Sequence, residues 1–325
     1  MKRLLNCLAP LLLLSAAPIS STAQIFPTKP ITMLVVFAPG GATDVLARLV
    51  ADHMGRTLGQ RVIVENVSGA GGTIGGARGA HAEPDGYTLT VGSLGSHSAA
   101  PSIYRSIKYD PRELDPIGVI AGTPLYFVVR DNFPAKNFQE FQAYVKANPG
   151  KVTNGHAGVG STNHLACLLL MHITKLELNS VAYRGEGPAI QDLIAGHVDS
   201  ACTLAPAIVP HIQGGKVRGL MGASSERAAL TPSTPSAPEA GVDQYIFQGW
   251  NAIFAPKGTP APVRAKLVEA LNAALVDPVV RARVEELGSV LPRPEERTPE
   301  HLTRLVRSEV ERWSVVIKAA GISEP

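Results

Sequence analysis

The sequence predicts an α/β fold divided into two lobes, on three observations. Short apolar runs alternate with amphipathic stretches along most of the chain, the pattern of sheets layered with helices. A strand, glycine-rich loop, helix order found in the first half recurs in the second. Setting aside an N-terminal leader leaves about 300 residues, enough for two cores at roughly 100–200 residues per domain.

The leader is the opening "MKRLLNCLAPLLLLSAAPISSTAQ". Lys2 and Arg3 precede an apolar core that ends at Leu14, and Ser21 and Ala23 supply the small residues of an export cleavage site after Ala23. The core is too short for a spanning helix, which needs about 20 apolar residues. Cys7 lies inside it without the context of a lipid attachment site. Removing the two leader cations from 30 cationic and 27 anionic side chains leaves a nearly neutral chain, with no charge footprint for nucleic acid or an anionic membrane. Of three cysteines only Cys167 and Cys202 remain, which is no disulfide framework; two buried, unpaired thiols are the simpler expectation, and pairing in an oxidising compartment is the alternative.

The elements follow in order. "ITMLVVF" at 31–37 has the continuous apolar character of a buried strand, and residues 43–56 carry helical periodicity. "RVIVEN" is a second strand, "GGTIGGARGAHAE" a glycine-loosened helix and "YTLTVGS" a third strand. The pattern restarts near Pro124 with the strand "LYFVVR", the helix "FQEFQAYVKA" stopped by "NPG", and the short strand "KVTNG". A helix over "NHLACLLLMHI", a strand "LNSVAY", a helix "GPAIQDLIAGH" and strands "VDSACTL" and "KVRGLMG" come next. "LTPSTPSAPEAG" is a surface loop by composition, "WNAIFAP" a strand, and helices are expected over 260–287 and 299–320. In the last of these Leu302, Leu305, Val306, Val310 and Trp313 share one face, a core-packing stripe.

Catalytic signatures are missing. The chain has no GxxxxGK[ST], no GxSxG, no HExxH and no paired CxxC, and "GAGGTIGG" and "GVGSTN" both lack the third glycine of a dinucleotide loop. The nine histidines are scattered. Two glycine loops remain. "VVFAPGGATD" ends a strand and opens a helix, and "NGHAGVGSTNHLA" does the same in the second half. Backbone N–H groups at such helix starts bind anions, although each loop is also explained as a tight turn with Ser161, Thr162 or Asn163 capping a helix. Open α/β sheets take ligands at the carboxyl ends of their strands, so the two loops together mark a cleft for a small carboxylate.

Taken in order, "PGGATDVLAR", "VENVSGAGGTIGGARGAHAEPDGYTL", "DPIGVIAGTPLYFVV", "NPGKVTNGHAGVGSTNHLA", "AYRGEGPAIQDLIAGHVD" and "WNAIFAPKGTP" form a specific signature. Over residues 27 to 321 the chain resembles the periplasmic receptors of tripartite tricarboxylate transporters, the Bordetella uptake gene family of solute-binding proteins. The resemblance implies a two-lobed Venus-flytrap (periplasmic-binding-protein) fold in which each lobe is a central sheet flanked by helices. It implies a signal peptide at 1–23, one lobe from 24–123 with 246–325, and the other from 124–245. It implies an extracytoplasmic receptor without catalysis, cofactor or metal, passing a small organic acid to a membrane permease.

Carried over residue by residue, the first loop supplies Phe37, Pro39, Gly40, Gly41, Ala42, Thr43 and Asp44, and the third strand Ser93. The second lobe supplies His156, Gly160, Ser161, Thr162 and Thr203, with the Tyr183-Arg184-Gly185 turn at the border of the cleft. Asp44 orders its loop, meets a polar or cationic ligand group, or simply stabilises the first helical turn, and Arg184 either offsets anionic charge or ties its turn. Four positions depart from the family pattern: His156 for a small serine, Leu168 for an acid, Thr203 for an acid or amide, and Ala100-Pro101 for Asn-Pro. Two alternatives remain at this level. One is an exported enzyme drawing on Ser161, His156 and Asp44, and the other is a sensory partner with the same pocket.

Overall fold

The computed structural model describes residues 26–319. The leader with its cleavage site and Cys7 lie outside the described residues.

The first part of the chain forms β1 (Ile31–Val35), α1 (Ala42–Leu58), β2 (Val62–Asn66), α2 (Thr73–Ala80), β3 (Thr88–Ser93) and α3 (Ala100–Ile103). A wide helical turn, Gly95–Ala99, joins β3 to α3. The middle forms β4 (Asp115–Arg130), α4 (Phe138–Ala147), β5 (Thr153–His156), α5 (Thr162–Thr174), β6 (Asn179–Ala182), α6 (Glu186–Ala195), β7 (Ser200–Leu204), α7 (Ala205–Gln213) and β8 (Val217–Gly222). The chain finishes with β9 (Gln248–Ala255), α8 (Ala261–Val276), α9 (Pro278–Glu286) and α10 (Pro299–Ala319).

The strands run in the order β2-β1-β3-β9-β4-β7-β5-β6, with β8 also on β4. β4 is the strand both halves share. Its residues 115–124 pair with β9, and residues 125–130 pair with β7 and β8. The expected restart near Pro124 is therefore a change of partner within one 16-residue strand rather than a new strand. A proline lacks the N–H for a ladder bond, and Pro124 sits where one set of partners ends, a place that tolerates the loss. Around this strand stand the two sheets, each covered by helices, of the expected two-lobed α/β fold.

Two apolar clusters follow from the arrangement. In the first sheet Met33, Leu46, Val50, Met54, Leu89, Ile253, Leu267 and Leu271 pack between β1, β3, β9 and helices α1 and α8. The other cluster spans the second sheet and the underside of the first. It includes Phe127, Phe138 and Phe141, and it takes in the stripe Leu302, Val306, Val310, Trp313 and Ile317 of α10. That helix lies against β4, α3 and the 95–99 turn, so the last element braces the end of β3.

Two further expectations are corrected, and one helix that the sequence pattern did not show is added. Residues 260–287 are not one helix: Asp277 is extended, accepts hydrogen bonds from the Val279 and Val280 N–H groups, and starts α9 ahead of Pro278. Helix α7 lies in a stretch, "APAIVPHIQ", whose prolines hid the helical pattern, and Pro206 falls in its first turn where no N–H is needed. Cys167 and Cys202 are joined in a disulfide, with their Cα atoms 5.6 Å apart, because α5 packs across β7 and brings the two sulfurs together.

The bridge closes a loop with a sequence separation of 35. A closure of that length constrains the unfolded chain by about 3–4 kcal/mol in the chain-entropy treatment. Thermal denaturation with and without dithiothreitol should show a lower melting temperature for the reduced protein, and the Cys167→Ser, Cys202→Ser double variant should match the reduced value in both conditions.

Candidate functional site

The carboxyl ends of β1, β3, β5, β6 and β7 all lead into one enclosed space between the two sheets, lined by Phe37, Gly41, Ala42, Thr43, Ser93, Ala157, Thr162, Asn163, Glu186 and Leu204. Its free volume is about 10 Å3, at the threshold for a single water molecule. A larger depression of about 700 Å3 along α1 and β2 is open to solvent and includes none of the loop residues. It is a surface groove between charged side chains rather than a binding cavity.

The first loop is held from behind by Asp44. Gly40 adopts φ +84°, which turns its N–H back onto Asp44 Oδ2 at 3.0 Å. The same carboxylate accepts from Arg48 Nε and Asn66 Nδ2, and Asn66 also donates to the Phe37 carbonyl. Burial alone would raise the Asp44 pKa, but the bonds from Arg48, Gly40 and Asn66 outweigh it and hold the group below its ordinary value. Its whole accepting capacity serves the loop. Pro39 and Gly40 form the exposed rim, while Phe37, Gly41, Ala42 and Thr43 face the cavity.

The second loop is held by histidines. His156 Nδ1 accepts the Gly158 N–H and His164 Nδ1 accepts the Gly160 N–H, both at 3.2 Å, and the two rings pack at a tilt with centroids 4.4 Å apart. Ser161 caps α5 by accepting the His164 N–H. Burial pushes both imidazoles down to about 4, so each is a neutral acceptor of a loop amide. Several amides of this loop are therefore committed within it, and the groups turned to the cavity are Ala157, Thr162 and Asn163. None of the hydrogen bonds among the described residues joins Ser161, His156 and Asp44 into a relay.

Glu186, which the sequence reading passed over, occupies the centre. Oε2 accepts the Ala42 N–H at 2.8 Å, from the start of α1 in the first half. Oε1 accepts from Asn163 Nδ2 at 2.8 Å, Thr203 Oγ1 at 2.7 Å and the Leu204 N–H at 2.6 Å, all in the second half. The starts of α1, α5 and α7 thus converge on one carboxylate, itself the first residue of α6. Both oxygens face donors only, the arrangement of an ionised carboxylate. Burial lifts its pKa above the ordinary value, and the four donors offset part of the rise. In the sequence Glu186 resembles any acidic residue in a first helical turn. The distinguishing signal is its setting between Gly185 and Gly187, which lets the turn approach the first loop closely.

The halves meet through backbone. Ala38 N–H donates to the Arg184 carbonyl at 3.3 Å, and Gly95 N–H donates to Thr162 Oγ1 at 3.1 Å. Thr162 Oγ1 in turn lies 3.5 Å from Ser93 Oγ. A Cβ on Gly187 would penetrate the Pro39 carbonyl, and one on Gly95 would stand 2.5 Å from the Thr162 nitrogen. Arg184 is exposed, and its carbonyl is what ties the turn to the first loop. Beside this seam, Thr123 Oγ1 and both polar side-chain atoms of Asn251 are buried without a hydrogen-bond partner. Asn251 is the register partner of Ser93, and a Cβ on Gly249 would touch both Thr123 Oγ1 and Thr162. Among the described residues no cluster of His, Cys, Asp and Glu could hold a metal, and no helix is long and apolar enough to cross a membrane.

The model of the tripartite tricarboxylate transporter family receptor matches residues 46–322. BugT of Bordetella pertussis is 35% identical over 308 residues, covering 94% of this chain and 93% of that protein. Among solved structures, MatC from Rhodopseudomonas palustris with bound malate is 41% identical with a TM-score of 0.86, covering 90% of this chain and all of that one. The periplasmic binding protein BugD is 37% identical with a TM-score of 0.89, covering 92% of this chain and all of that one.

The site generates two predictions. In Gly187→Ala the backbone conformation stays permissible, but the new methyl meets Pro39 across the seam, so the closed arrangement should lose about 1–3 kcal/mol. Circular dichroism should be unchanged while small-angle scattering reports a larger radius of gyration than wild type. The second concerns pH. His156 and His164 titrate near 4 in the fold and near 6.5 when exposed, so the unfolded chain holds the extra protons between those values. Stability present at pH 7 should therefore be lost as the pH falls through 6.5 towards 4, at up to about 1.4 kcal/mol per pH unit for each group. Denaturant melts at stepped pH should show this slope, shallower in His156→Asn.

Proposed function

The chain belongs to the tripartite tricarboxylate transporter receptor family, and on that premise we propose that it is a periplasmic receptor that captures a small organic carboxylate between its two halves and passes it to a membrane permease of that transporter type. The observation that carries the reading is the meeting of donors from both halves, Ala42 N–H on one side and Asn163, Thr203 and Leu204 on the other, around one negatively charged group. A site of this kind binds and releases. It holds an anion by preorganised N–H and O–H dipoles and assembles no nucleophile with a base, which fits a family whose members are solute-binding receptors.

In this reading the leader is removed after Ala23 on export. Residues 24–123 with 246–325 move as one body and 124–245 as the other, flexing about the two connections near Pro124 and ahead of β9. Opening separates the 38–41 loop from the 185–187 turn and exposes Phe37, Gly41, Ala42, Thr43, Ser93 and Thr162 to an incoming acid. Malate, bound in the MatC structure, is the natural first probe. Charge-assisted hydrogen bonds contribute about 1.5–3 kcal/mol each, so a few of them reach the roughly −8 kcal/mol of micromolar binding without an arginine clamp.

Thermal-shift screening of mono-, di- and tricarboxylates should raise the melting temperature with at least one class, by mass action on the closed form. In Gly41→Asp the new side chain starts 3.1 Å from Glu186 Cβ and brings a second carboxylate to the same gap. That variant should fold normally and lose the response. A flat response of wild type to every acid would overturn the reading.

A further inference from the structure

We propose that the Glu186 side chain is an internal stand-in for the ligand: in the free receptor it fills the carboxylate subsite formed by Ala42 N–H, Asn163, Thr203 and Leu204 N–H, and an incoming carboxylate takes that place by exchange. The inference rests on the reading above that the gap between the halves takes an organic acid.

Three observations lead here. The first is stoichiometry of donors. Four N–H and O–H groups from both halves, all buried, are spent on one side chain that belongs to neither loop expected to bind the ligand. The second is space. With Glu186 in place the gap holds about 10 Å3, so no organic acid fits beside it while the halves stay together. The third is charge. A second carboxylate set against Glu186 in a water-poor gap would meet a like charge, and the residues lining that gap include no Lys or Arg to offset it. Exchange avoids both problems. The donors keep a carboxylate partner throughout, and the hydrogen-bond count of the closed state is unchanged.

The arrangement also satisfies the helix starts that the closed form brings together. Helix starts from opposite halves would otherwise face one another with unpaired N–H groups, and Glu186 satisfies them. The affinity of the receptor for an acid is then the difference between two carboxylates competing for the same donors. Selectivity falls to the remainder of the ligand, for which the unpartnered Thr123 and Asn251 side chains lie beside the cavity wall.

The test uses Glu186→Ala and Glu186→Gln in the full mature chain, with isothermal calorimetry against succinate, malate, adipate and citrate, and with formate as a fragment probe. Glu186→Ala vacates the subsite, so the acid that binds wild type should bind this variant at least about tenfold more tightly, the factor that one charge-assisted hydrogen bond supplies. Formate should raise the melting temperature of Glu186→Ala and not of wild type, and it should weaken binding of the larger acid to the variant because both want the same donors. If Glu186 were only a structural tie, or touched the ligand, the signs reverse: Glu186→Ala would bind the acid more weakly, and formate would strengthen that binding or leave it unchanged. Either result overturns the proposal while leaving the receptor reading intact. Should Glu186→Ala fail to fold, Glu186→Gln decides by the same comparison, since a neutral amide competes less well than a carboxylate. If no acid binds wild type or either variant, the receptor reading itself falls and the exchange falls with it.

Discussion

The organisation of this protein turns on a single buried carboxylate. Glu186 receives hydrogen bonds from the start of α1 on one side and from α5, Thr203 and the start of α7 on the other. Partial positive charge at several helix starts is costly to bring together unless an anion sits among them. The anion in turn is costly to bury unless it is surrounded by donors. Glu186 and three of its donors belong to the second half and the Ala42 N–H comes from the first, so this carboxylate is a point where the halves join.

Close approach of main chain to main chain makes this possible. The 38–41 loop rests on the 185–187 turn, and the 95 turn rests on the 160–162 loop, at distances that leave no room for a Cβ. Glu186 and Thr162 reach across the seams, while other side chains beside them hold the loops. Asp44 fixes Gly40, and His156 and His164 fix Gly158 and Gly160. Rigid loops with their internal amides already satisfied present few donors, in fixed directions. That is the condition for selecting the shape of a carboxylate rather than negative charge in general.

Much of this was legible in the sequence because it is local. The periodicity of 31–37 and 43–56 reports a strand and a helix, and Gly40-Gly41 between them report a turn at a helix start. The motif order from 27 to 321 supports the family to which the chain belongs. What escaped depends on contacts distant in sequence. Pro124 looks like a boundary in one dimension, and only the change of partners along β4 shows it inside a strand. Cys167 and Cys202 are 35 apart and pair because α5 crosses β7. Prolines at 206 and 210 conceal α7, and Asp277-Pro278 divides a helical stretch that periodicity joins. His156 was expected to line the pocket, and the structure places it behind the second loop as an acceptor for Gly158. Glu186 is 144 residues from the amide it holds, and its local mark is no more than the flanking Gly185 and Gly187.

The same geometry explains why the class of ligand is easier to read than its identity. Main-chain N–H groups and the side chains of Asn163 and Thr203 hold the carboxylate of Glu186, and donors of this kind suit a carboxylate whatever it is attached to. The groups left to recognise the attachment are Phe37 on one wall and, beside the cavity, the buried polar atoms of Thr123 and Asn251 that have no partner. An unpaired buried amide costs about 1–3 kcal/mol, so its persistence calls for a compensating contact in some state of the protein. The halves share β4, and the opening proposed above would leave the carboxyl ends of β1, β3, β5 and β7 free for that contact. On the receptor reading proposed above, a ligand carrying a hydroxyl or a second acceptor near its carboxylate would pair with Asn251 and Thr123 as the gap closes, whereas a plain alkyl acid would leave them unpaired. That reading places discrimination among small acids at the wall behind Ser93 rather than at the two glycine loops.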